Sequence, residues 1–151
     1  MTQEKIELLA EEMPGVELAA NHLAYSIERC AKLIGMKNLA PEQLERLESL
    51  TSHFARLADL LIQRVFRLID DIELTSSGSI LDRIYRAEKR GWANAAELIK
   101  IRELRNLIAH EYANDQMMDI FAAVAALSPV LLEIASRVAT EAANLPNRHP
   151  Q

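Results

Sequence analysis

The sequence predicts an all-α protein, an antiparallel bundle of four to five helices, and three observations carry that reading. Apolar residues recur at steps of three, four and seven along most of the chain, the period of one face of a helix. Half of the 151 residues are hydrophobic but only 5% are aromatic, and Gly (4) and Pro (5) are scarce. Unbranched apolar residues keep their rotamer freedom in a helix, whereas strands favour Val, Thr and aromatics. The breaks between periodic segments are short, so up-and-down connection is the simplest topology. The length suits one domain over 1–151, with its core at about 16–140.

Each element has a local reason. A short N-terminal turn is expected to end at Pro14-Gly15, which breaks the chain. Ala20, Leu23, Ile27, Cys30 and Ile34 then mark a helix that Gly35 suits as a C-terminal cap. Pro41 fits a helix's first turn, and Leu44, Leu47, Phe54, Leu57, Leu61, Val65, Leu68 and Ile72 extend it for ~30 residues, roughly 45 Å. Leu60, Ile62, Phe66 and Ile69 widen its apolar surface, which predicts packing in the bundle on one side and against a second copy on the other. Ser79 with Asp82 reads as a capping box for a short helix to about Arg90, and Gly91 breaks it. Asn94 with Glu97 repeats that logic for a helix bearing Leu98, Ile101, Leu104 and Ile108. Ala113 to Asp115 offer the next cap. The last helix carries Met118, Phe121, Val124, Leu131, Ile134 and Val138, with a kink expected at Pro129 and a frayed tail, "NLPNRHPQ".

Cys30 is the single cysteine, so no internal disulfide forms, and it reads as a small core hydrophobe. The N-terminus "MTQEKIELLAEEM" is too acidic for a secretory signal. The longest uncharged run, Ile120 to Leu132, falls short of the ~20 residues of a membrane span and contains a proline. A soluble cytoplasmic protein without membrane attachment is expected. No Gly-rich phosphate loop, paired-Cys zinc site, Gly-x-Ser-x-Gly elbow or carboxylate–histidine ligand set is present, so neither metal nor cofactor is expected. Net charge is −5, which argues against indiscriminate nucleic-acid binding, and no DNA partner is expected. Between Asp82 and Arg105, however, seven bases face four acids.

That basic window runs into "IRELRNLIAHEY", Ile101 to Tyr112, where Arg105, Asn106, His110 and Tyr112 crowd one helix end. On an ideal helix, residues five apart are turned by about 140°, so Arg105 and His110 do not share a face, whereas Arg105 and Tyr112 do. The pair converges only if the helix end distorts or if two copies meet at a two-fold axis. Histidine moves protons near neutrality, and arginine offers a planar, always-charged fork to a phosphate. RNA brings its own 2′-hydroxyl nucleophile, so no metal is needed. The plainer reading is that Arg105 and His110 only complement the helix dipole.

"ELRNLIAHEY" resembles the R-x4-6-H signature of the HEPN superfamily, and more narrowly the R-x4-H-x-Y form of HepT-like toxins, with Asn directly after Arg. The likeness covers about Val16 to Thr140, and its four matched residues are the specific part. It implies a helical homodimer whose motifs meet in a cleft and a metal-independent endoribonuclease, the toxin of a type II-like toxin–antitoxin pair. It implies that Arg105 holds the scissile phosphate, that His110 is the general acid/base and that Asn106 orients one of them. It also implies that Tyr112 is where a cognate MNT-type nucleotidyltransferase antitoxin attaches AMP, in a higher hetero-oligomer. The family also includes non-catalytic subunits that bind a nucleotidyltransferase, the rival reading. This chain has Trp92-Ala93 where many relatives carry an aliphatic pair.

Arg83, Arg86 and Arg90, at i, i+3 and i+7, form a basic stripe that reads equally as an RNA track or a solvated face. Arg102 joins the face of Arg105 and is the stronger RNA-binding candidate. Trp92 reads first as packing at a helix joint and second as a base-stacking platform. His22 and His53 read as isolated helical residues. Asp59, Asp70 and Asp71 include an acid able to pair with Arg105, although solvated positions are the simpler expectation.

Overall fold

A computed structural model describes residues 2–73, 78–110 and 114–150, which hold helices and no strand. These are α1 (Thr2–Cys30), α2 (Pro41–Asp59), a π-helical segment (Leu60–Val65), α3 (Phe66–Ile72), α4 (Ile80–Lys89), α5 (Ala95–Ala109) and α6 (Asn114–Arg148). The π segment joins α2 to α3 without a gap, so the long second helix read from the sequence is one rod with an irregular middle. α1 packs antiparallel to this rod. The Cys30 thiol donates to Arg46 O (3.2 Å) near one end, and Arg64 pairs with Glu12 (3.4 Å) nearer the other. α6 lies on both α1 and α2, and α4 and α5 cover the rod's remaining side.

Most of the rod's wide apolar surface is buried inside one chain: Ile62, Phe66 and Ile69, with Leu61, Val65 and Ile72, lie in the core, while Leu60 stays half-buried on the open side. Nor does the chain break at Pro14. Proline in a helix interior costs ~3 kcal/mol, yet Ile6 and Leu9 before it and Val16, Ala19 and Leu23 after it are buried in one core. Each large side chain among them contributes roughly 1.5–3 kcal/mol, so keeping both halves docked wins. The C-terminal tail is likewise ordered: Leu145 is buried, and Arg148 pairs with Glu73 (2.9 Å) and Glu141 (2.8 Å). α6 is long and apolar enough to cross a membrane by length and composition; here Val124, Leu131, Ile134 and Val138 are in the core.

The Ser79 cap forms as read, whereas Asn94 caps α5 without the reciprocal bond from Glu97 that a capping box adds. Ser79 Oγ accepts from Asp82 N–H (3.2 Å) while Asp82 accepts from Ser79 N–H (2.9 Å). Asn94 Oδ1 accepts from Ala96 N–H (2.8 Å), and Glu88, from the preceding helix, takes Ala95 N–H (2.8 Å). At Gly91 (φ +82°) the chain makes a Schellman turn, with Gly91 N–H on Glu88 O and Trp92 N–H on Ala87 O. This turn drives Trp92 inward. The indole is buried against Phe66 (centroids 5.2 Å), Arg90 lies over it at 5.2 Å, and Arg137 donates to its carbonyl (3.2 Å). Trp92 is a packing residue and has no face open to a base.

His22 and His53 are not isolated. Their rings face one another across α1 and α2 with centroids 5.4 Å apart, and among the described residues no third ligand completes a metal set. Burial, helped by His22 and Arg56, pushes the His53 pKa below its ordinary value. The unfolded chain therefore takes up this proton first, so the stability is present above the ordinary histidine pKa and is lost as pH falls through the folded value. Thermal melts of His53→Gln should show a flatter fall in stability between pH 7 and 5 than the parent (a range set by the ordinary value of about 6.5). Parallel curves would refute this.

Candidate functional site

α5 presents Arg102, Arg105 and Asn106 at i, i+3 and i+4, hence on one face, which borders the core stripe of Leu98, Ile101 and Leu104 and so leaves Arg105 half-buried. Across from them the rod presents Arg56, Asp59, Leu60, Gln63 and Arg64. Together with Ile80, these residues line an open hollow of about 740 Å³. Four of its lining residues are arginines and one is acidic, so the hollow carries a local positive excess in a chain of net charge −5.

Arg105 is held at its base. Nε donates to Asp59 Oδ1 (2.6 Å) and Nη2 to Asp59 Oδ2 (2.9 Å), the fork geometry with which arginine also grips phosphate. The hydrogen bond to Asp59 pushes the Arg105 pKa further up, so the group is a permanent cation. About a third of its side chain remains exposed. Asp59 is thus the α2 acid that meets the motif arginine. Asp59 sits where the regular helix gives way to the π segment, and π turns of this kind recur at functional sites.

His110 is the C-cap of α5, with φ −92° and ψ 154°, so the helix has ended and the residue leaves in extended backbone. It is exposed and does not line the hollow. The distorted helix end weighed from the sequence is therefore present, but within one chain the imidazole stays outside the arginine-walled space. Tyr112 lies outside the described residues, as does the cap read at Ala113.

The basic stripe of α4, read equally as an RNA track or a solvated face, is half-buried and meets a buried acid. Asp70 is fully buried, Arg86 Nη2 lies 2.9 Å from Oδ2, and Arg90 Nη1 donates to Oδ1 at 2.6 Å. Arg83 Nη1 donates to Ile62 O (3.3 Å) inside the π segment. These arginines hold α4 against the rod: a buried carboxylate needs cations more than a solvated strand does. The hollow is lined instead by Arg56, Gln63 and Arg64, which the sequence reading passed over.

Compared with known proteins, the chain matches no family model, no curated protein and no solved structure.

Proposed function

We propose that the chain is a metal-independent endoribonuclease, the toxin partner of an MNT-type nucleotidyltransferase. The observation that carries the reading is that Arg105 and Asn106 open on an arginine-walled hollow while His110 stands exposed at the broken end of the same helix. In this reading His110 takes the proton of an RNA 2′-hydroxyl as its oxygen attacks the adjacent phosphorus. The imidazole returns a proton to the departing 5′-oxygen, leaving a 2′,3′-cyclic phosphate and a 5′-hydroxyl. Arg105 stabilises the phosphate as negative charge accumulates on it. A homodimer whose two α5 ends meet would bring one copy's His110 to the other's hollow, and AMP on Tyr112 would place a competing phosphate there.

Purified protein incubated with mixed RNA in EDTA is expected to cut it and leave cyclic phosphate ends, with Arg105→Ala reduced at least about a hundredfold, the range for losing one transition-state donor. Intact RNA under these conditions would overturn the reading. The bidentate occupation of Arg105 by Asp59 favours the rival, a silent subunit that binds a nucleotidyltransferase. Intact RNA together with a stable complex with that enzyme would establish it.

A further inference from the structure

We propose that Arg56 and Arg64, on the rod's wall of the hollow, form a subsite for the strand phosphates next to the one Arg105 grips. The inference rests on the nuclease reading and adds residues that the motif does not contain. Three observations lead to it.

First, the hollow has two walls of matching character. Arg102, Arg105 and Asn106 come from α5, and Arg56, Gln63 and Arg64 come from the rod, so cations and amide donors face each other across about 740 Å³. A single phosphate on Arg105 would leave most of that space empty, whereas a strand running along it meets both walls.

Second, the cations there are under-neutralised. Asp59 is the one acid among the lining residues, and both of its oxygens are taken by Arg105. Among the described residues no carboxylate lies within ion-pair distance of Arg56 or Arg102, while Arg64 donates to both Glu12 oxygens (3.4 and 3.5 Å) with most of its side chain in water. Contrast α4, where Arg86 and Arg90 are spent on one buried Asp70. Cations unneutralised by their own chain are those left to release counterions when a polyanion binds.

Third, the hollow lacks what base recognition uses. None of its lining residues is aromatic, so no ring is present to stack on. Guanidinium and amide donors suit the backbone, so contact here is expected to be insensitive to sequence.

The test measures binding of a short 2′-O-methyl RNA, which lacks the nucleophile and cannot be cut, by the full chain over a salt series. The parent should lose affinity steeply with salt. Arg56→Gln/Arg64→Gln should flatten the log–log slope by about 0.7 for each phosphate contact removed and weaken binding equally for oligonucleotides of different sequence. Unchanged slope and affinity in the double variant would overturn the subsite. So would complete displacement of the strand by ATP at equal phosphate concentration, since the site would then serve a free nucleotide. Cleavage of natural RNA by the parent, alongside a double variant that binds normally, would sink the subsite and spare the nuclease; the reverse pattern would do the opposite.

Discussion

Asp70→Ala is expected to destabilise the fold by about 3–5 kcal/mol, because it strips the shared carboxylate from two arginines packed around it. Asp70 is fully buried, and the Arg86 and Arg90 side chains are only about a fifth exposed. Without that carboxylate the two guanidinium groups repel, and neither can reach water fully without loosening α4. Such a loss is a large part of the 5–15 kcal/mol that holds a typical domain. At this chain length it lowers Tm by roughly 10 °C or more, read by circular dichroism. Replacing all three residues by apolar ones of similar size should recover much of the loss, since a buried ion group is often no better than a hydrophobic one. A Tm within about 2 °C of the parent for Asp70→Ala, less than 1 kcal/mol on that scale, would show that the arginines are adequately solvated without it.

His110→Ala is expected to lower the rate of RNA cleavage by about 10²–10⁴-fold, the usual contribution of a general acid/base. The fold should be untouched, because His110 is exposed and its backbone has already left α5. Affinity for the uncleavable strand should also stay close to that of the parent, because His110 lies outside the hollow. The diagnostic is therefore a fall in kcat at nearly constant KM, with the midpoint of thermal unfolding unchanged. Loss of binding with kcat preserved would make His110 a strand contact and leave the proton transfers without an agent.

What was legible in the sequence was what is decided locally. Ser79 with Asp82, Asn94 and Gly91 act through groups within four residues of themselves, and each does what its type and spacing imply. Pro14 misled because its cost is local while the burial that outweighs it comes from α6 and the rod. The α4 stripe misled for a related reason. Spacing says that Arg83, Arg86 and Arg90 share a face, but not whether that face meets water or a buried acid. A sign was there: Asp70 lies four residues after Phe66 on the rod's apolar side, and an acid in the inward register must find a cation. Arg56 and Arg64 escaped because nothing marks one surface arginine over another until a second helix is laid beside it. The π segment, with no glycine or proline to announce it, was invisible.

That segment has a mechanical consequence. On a regular helix, residues eleven apart return to within about 20° of each other, so Asp59 and Asp70 would lie along a single stripe and compete for one neighbour. The extra residue absorbed between Leu60 and Val65, where Phe66 N–H reaches back to Leu61 O, swings the two apart by roughly a quarter turn. One carboxylate can then address α5 and the other α4. Winding all eleven steps as ordinary α-helix would force a choice, the guanidinium cradle beside α5 or the anchor beneath α4, whereas deleting one residue there would remove the π turn and leave both carboxylates aimed as they are.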